Sequence, residues 1–174
     1  MAKAEKAIFK IVIKGSIEAV WHEITKTDEP QECMFNMRLH TDGLKPGGQI
    51  RMRTVDGKNT GVVGEVLEFT PPHRYVHTFR FTQFDDPPCT VIHELKKVAD
   101  GVEYTLTHEN MPAGTKTEKQ MTQGGTMICN TLKAVVERGR PSLGIRALYV
   151  VFKLMGPFTP KKCRSENWPL NRKV

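Results

Sequence analysis

Three histidines, His77, His93 and His108, and two tyrosines, Tyr75 and Tyr104, are the residues whose types and spacing bear on chemistry. Each lies in a stretch where every second residue is apolar or aromatic, the period of a β-strand with one buried face. Tyr75, His77, Phe79 and Phe81 share a face of one segment, Val91, His93 and Leu95 of the next, and Tyr104, Leu106 and His108 of the third. If Asp100-Gly101 forms a two-residue type I′ hairpin, Ala99 stands opposite Val102, which sets Leu95 against Leu106 and His93 against His108. Apolar residues then meet apolar residues, which favours this register over a one-residue slip. A loop centred near Asp85 brings His77 beside His93. The expectation is a row of three imidazoles across three neighbouring strands.

Such a row is a possible zinc ligand set with a position open for water, but no motif places a carboxylate behind it. The residues favour hydrogen bonding inside a cavity, to a bound molecule, to water or to one another. No metal and no cofactor is expected. Tyr75 and Tyr104 are possible acid–base partners, although a tyrosine on an inner sheet face more often packs with its hydroxyl satisfied. There is no Gly-x-Ser-x-Gly, no His-Glu-x-x-His, no phosphate loop and no dinucleotide fingerprint, so no catalytic residue is assigned. Gly47-Gly48 and Gly124-Gly125 read as turn and close-packing glycines, and Glu65, Glu68, Glu94 and Glu109 as solvated strand residues.

The elements that must position these groups follow from periodicity. Phe9, Ile11 and Ile13 mark a first strand, and Ser16 caps a helix carrying Ile17, Val20, Trp21 and Ile24. A second short helix is expected from near Asp28 to Phe35. A strand follows with Ile50 and Met52 inward and Arg51 and Arg53 outward. Further strands are expected near 61–69, 74–82, 89–98 and 102–109, joined by turns too short for anything but an antiparallel meander. Met121, Gly125, Ile128, Leu132 and Val135 form one apolar stripe of a long helix, 117–137, closed by Gly139 and Pro141. The fold class is α+β, a curved antiparallel sheet gripping its last helix.

The chain of 174 residues is one domain's worth, with ordinary apolar (39%) and charged (26%) content, which excludes wholesale disorder. Its net charge of +7 resides in residues 140–174, where eight Lys/Arg face the single acid Glu166. We therefore divide it into a domain at 1–139 and a basic amphipathic extension at 140–174. Cys33, Cys89, Cys129 and Cys163 form no Cys-x-x-Cys pair and read as reduced thiols, with no secretory signal visible and a cytoplasmic setting expected. In the extension, Leu143, Ala147, Val151, Leu154 and Met155 form a helical stripe beside Arg146 and Lys153. The favoured expectation is that this helix packs on its own domain or a second copy, with Trp168 pinning the end. Peripheral contact with an anionic membrane ranks second, and nucleic acid is not expected, because no stacking aromatics are interleaved with the charge.

The pieces VWHEIT (20–25), LKPGGQIRM (44–52), GEVLEFTPPHRYVHTF (64–79) and LTHENMP (106–112), in this order, resemble the helix-grip superfamily of START, birch-pollen-allergen-like and polyketide-cyclase domains (SRPBCC). Within it the chain, over about residues 7–138, looks most like the branch related to the C-terminal domain of the activator of the heat-shock-protein-90 ATPase. It departs at Cys33-Met34-Phe35, where many relatives carry Trp-Trp, and at Gly124-Gly125, where many carry Gly-Trp. The resemblance implies a cavity between sheet and last helix for a small apolar or amphipathic molecule. Here Tyr75, His77, Phe79, His93, Tyr104, Leu106, His108, Ile128 and Leu132 would line it. Two alternatives stand beside this carrier reading: a co-chaperone-like protein-interaction module using the outer sheet face and the tail, with the 143–155 helix as the contact for a second copy or a protein partner, and a cyclase- or hydrolase-like enzyme. A filled pocket favours carrier or enzyme; a collapsed pocket with an exposed apolar stripe at 143–155 favours the interaction module.

Overall fold

In the computed structural model, which describes residues 5–174, the strands are β1 (Glu5–Ile13), β2 (Arg38–Thr41), β3 (Gln49–Arg53), β4 (Thr60–Thr70), β5 (Arg74–Phe81), β6 (Cys89–Val98) and β7 (Gly101–Met111). They form one antiparallel sheet in the order β1-β7-β6-β5-β4-β3-β2, so every neighbour after β2 is a meander step and β1 closes against the last strand. Register shifts within β1–β7, β3–β4 and β4–β5 insert extra residues that increase the local twist and curl the sheet. The result is the helix-grip architecture.

Helix α1 (Ile17–Thr25) starts where the Ser16 hydroxyl accepts the Ala19 N–H, a cap that contributes about 1 kcal/mol. Helix α2 (Lys116–Arg138) starts at Thr115, whose hydroxyl accepts the Glu118 N–H, and stops at Gly139, whose left-handed conformation (φ 74°) costs a glycine little. It lies across β1 and β7. Met121, Gly125, Cys129, Leu132 and Val135 make its buried stripe, while Ile128 is half-buried. Against them pack Ile13, Ile17, Val20, Ile24, Leu95, Tyr104 and Leu106. Each such aliphatic side chain gains about 1.5–3 kcal/mol on burial.

Two expectations are corrected. Residues 31–37 form a hydrogen-bonded turn, not a second helix: Gln31 N–H donates to the Met37 carbonyl at 2.7 Å, and Phe35 and Asn36 both take left-handed φ values. The Gln31 side chain is committed to the Ile24 and Lys26 carbonyls, capping the end of α1. The β6–β7 hairpin pairs Val98 with Gly101, a shift of two residues, so His93 faces Leu106, His108 faces Val91 and Tyr104 faces Leu95. The cause is not local: a Cβ on Gly101 would lie 2.1 Å from the Ile13 carbonyl oxygen, so this glycine serves the approach of β1. A shift of two preserves which face each residue occupies.

Arg51 lies on the outer face of the sheet, as its strand period requires, and is fully buried there. The segment after α3 (Leu143–Met155) crosses that face. The Arg51 guanidinium donates to the Trp168, Pro169 and Arg172 carbonyls, Arg53 donates to Trp168 O at 3.0 Å, and Arg80 stacks 5.3 Å from the Trp168 ring. Trp168 therefore does pin the end of the chain. Among the described residues, no helix is long and apolar enough to cross a membrane.

Candidate functional site

Adjacent strands β5, β6 and β7 bring Tyr75, His77, His93 and Tyr104 together on the inner face of the sheet. Tyr75 pairs with His93 across β5–β6, and its ring stacks on His93 (centroids 5.3 Å apart) and against His77 (4.8 Å). His77 reaches His93 diagonally, with the two Nε2 atoms 3.3 Å apart. His93 Nδ1 lies 2.8 Å from the Tyr104 hydroxyl, and His77 Nδ1 lies 2.9 Å from the Thr78 carbonyl.

These contacts assign the protons of His77, His93 and Tyr104. The Thr78 carbonyl can only accept, so His77 Nδ1 donates, which leaves Nε2 of a neutral His77 as an acceptor. His93 Nε2–H then donates to it, and His93 Nδ1 accepts from the Tyr104 O–H. The electrostatics agree. Burial presses the His77 pKa down to about 4, and burial with neighbouring imidazoles holds His93 well below its ordinary value. Burial also raises the Tyr104 hydroxyl well above the usual range, so it stays protonated. The relay begins at a hydroxyl that keeps its proton and ends at a carbonyl that cannot take one. Its hydrogen bonds fix the orientation of both rings.

His108 stands outside this chain of bonds. It packs beside Phe9 (ring centroids 5.5 Å apart), its pKa is lowered to about 4 by burial against a raising backbone contact at Met121, and among the described residues its Nδ1 is buried with no hydrogen-bond partner. Among the described residues, no three His, Cys, Asp or Glu side chains cluster as a metal site.

Of the nine residues expected to line a cavity, Tyr75, His77, His93, Tyr104, Leu106, His108 and Leu132 are buried, and Phe79 and Ile128 are half-buried. None lines either of the two most prominent concavities. The larger, about 410 Å³, is an open dish at the start of α2, lined by Gly114, Thr115, Glu118, Lys119, Thr122 and Gln123. The smaller, about 40 Å³, lies outside the sheet between Val174 and Thr78. Side chains occupy the place where sheet and helix face each other: the Phe9 ring lies so close to α2 that a Cβ on Gly125 would sit 2.2 Å from it.

The helix expected to pack on its own domain or a second copy, α3, rests on its own domain by one side alone. None of its 13 residues is buried. One side rests on the 31–37 turn, through a hydrogen bond from the Tyr149 hydroxyl to the Glu32 carbonyl and contact of Phe152 with Phe35. The opposite side leaves Leu143 (79% exposed), Val150, Val151, Leu154 (69%) and Met155 to solvent, and Phe158 continues the patch. The burial of Arg51 has no signal in the sequence, because its partners lie more than a hundred residues away along the chain.

Comparison with solved structures shows the same fold. CalU16 from Micromonospora echinospora is 20% identical, with 85% of this chain and 83% of that chain covered at a TM-score of 0.61. The Aha1 dimer from Colwellia psychrerythraea is 18% identical, with 78% and 98% covered at 0.61. ChR145 from Cytophaga hutchinsonii is 23% identical, with 78% and 95% covered at 0.61. No match is found among curated proteins. The family model described as activator of Hsp90 ATPase homolog 1-like protein matches residues 14–137, most of the chain and nearly all of the grip from the end of β1 to the end of α2, and the chain belongs to that family.

Proposed function

We propose that this chain is a docking module that engages a partner through the outer face of α3, with the sheet and α2 as the rigid body that carries it. The observation behind this reading is a 13-residue helix with no buried residue and a continuous apolar face. A protein leaves such a patch in water when something else covers it. The packed inner face points the same way, since the residues expected around a ligand touch one another instead. The family description names an activator of another protein, and one relative is described as a dimer; both statements concern those proteins, and both fit a domain that works by contact.

A paired substitution, Val151→Asp with Leu154→Asp, tests this. Both positions are solvent-exposed, so the melting temperature should hold while self-association or retention on a docking surface is lost. Wild type and variant behaving alike, as monomers with no retention on any surface, would remove the reading.

One observation favours a small-molecule role: the orphaned His108 Nδ1. A guest between β7 and α2 that donates to it would recover about 1–3 kcal/mol. Native mass spectrometry separates the two readings. A small-molecule mass that leaves on denaturation supports the carrier, and a bare chain mass supports the docking module.

A further inference from the structure

Resting on the docking reading, we infer that the partner is an anionic lipid surface, with α3 lying along it through the face formed by Leu143, Val150, Val151, Leu154 and Met155. Three observations choose this occupant.

The first is the make-up of the face. At about 100° per residue, positions 143, 147, 150, 151, 154 and 155 fall on one arc, and none carries a hydrogen-bonding side chain. Protein interfaces interleave apolar contacts with about one hydrogen bond per 100–200 Å². Acyl chains require none. The helix is also far shorter than the ~20 residues that would span a bilayer, which leaves the interfacial position.

The second is charge. From Arg138 to Ser165 there is no acidic residue. Arg146 and Lys153 fall at the edge of the apolar arc, between it and the side held by Tyr149, and Arg140 and Lys161 flank the helix ends. All four are exposed, and among the described residues none of them forms an ion pair. Cations at the border of an apolar face meet phosphate headgroups as the face enters the acyl boundary.

The third weighs against a second copy. Symmetric pairing through α3 would bring the two sets of unpaired cations together. A helix about 20 Å long also offers much less than the roughly 800 Å² per partner of a stable interface.

Co-sedimentation of the full chain with vesicles tests the inference, using phosphatidylcholine alone and phosphatidylcholine mixed with phosphatidylserine. Binding to the mixed vesicles should be about tenfold or more tighter than to the neutral ones and should fall as salt rises. Val151→Asp with Leu154→Asp should abolish it, and Arg146→Gln with Lys153→Gln should remove the preference for anionic lipid, with circular dichroism unchanged in both. Should the aspartate variant misfold, the salt series on wild type and the glutamine variant decide. Equal binding to both vesicle types, or no binding, overturns the inference, as does an aspartate variant that binds like wild type. If wild type ignores vesicles but forms a dimer that the aspartate variant breaks, lipid is excluded and the docking reading stands. If wild type does neither, both fall.

Discussion

The Tyr104 hydroxyl lies 2.8 Å from His93 Nδ1 and donates to the last acceptor of the two buried imidazoles. With Tyr104→Phe, His93 keeps its Nε2–H on His77 and is left with a buried acceptor facing a ring edge. The expected loss is about 1–3 kcal/mol in urea unfolding. The same variant should shift the His93 Nδ1 resonance in a nitrogen-15 spectrum while leaving both tautomers and the β5–β6 amides in place. A change within about 0.5 kcal/mol, the range of exposed substitutions, would mean the relay does not hold these rings.

The three histidines also make the fold sensitive to acid. Each is neutral when folded, with its pKa depressed from an ordinary 6.5, to about 4 for His77 and His108. Below pH 6.5 the unfolded chain binds protons that the folded chain refuses. Stability is therefore full above that value and falls as the pH drops towards 4. At pH 5 each histidine of pKa about 4 accounts for about 2 kcal/mol of loss. His108→Leu removes one of these groups together with an unpartnered nitrogen. It should be neutral or stabilising at pH 7 and should flatten the decline between pH 6.5 and 5. An unchanged slope would show that His108 titrates normally in the fold.

Local signals account for what was legible in the sequence. The C-terminal end of α2 is written in Gly139, and the inner faces of β5–β7 in a two-residue period that survived a two-residue error in register. The family motifs carried the sheet order. What was not legible depends on distant atoms. Gly101 looked like the second residue of a tight turn, yet the Ile13 carbonyl decides its place. The apolar residues of the 31–37 turn suit a helix until Gln31 is seen bonded back to α1. Arg51 alternates outward as its strand requires, and only the returning C-terminal segment buries it. The exposure of α3 was the least legible of all, because an apolar stripe states that a face avoids water without saying what covers it.

Gly125 is the point where β1 and α2 come closest. Gly125→Ala places a methyl 2.2 Å from Phe9 Cε2, inside any permissible contact, so the ring or the helix must move. Although alanine is the better helix former, by about 1 kcal/mol, overpacking of about 1–3 kcal/mol should outweigh it and lower the melting temperature. Adding Phe9→Leu should restore part of the loss, a coupling that a double-mutant cycle measures. Additive effects would show that the helix shifts as a body and that Phe9 is not the obstacle.

The buried Arg51 guanidinium makes the C-terminal segment part of the outer face. Its N–H groups meet carbonyls from Ile50, Trp168, Pro169 and Arg172, with no carboxylate among the partners, so three of the four bonds disappear if the segment lifts. Arg51→Met keeps much of the apolar stem and removes the donors. The Trp168, Pro169 and Arg172 carbonyls then gain more from water than from the sheet, and the balance tips towards release of the strap. Trypsin should cut after Lys161, Lys162 and Arg164 at least about tenfold faster than in wild type, the effect of about 1.4 kcal/mol in a local opening equilibrium. The Ser165 amide, which donates to the Lys58 carbonyl at 2.9 Å, and the Asn59–Arg164 bridge should lose their protection in hydrogen exchange together, because they belong to the same crossing segment. Unchanged cleavage would mean that Cys163, buried beneath this segment, and the stacking of Arg80 on Trp168 hold the strap without Arg51.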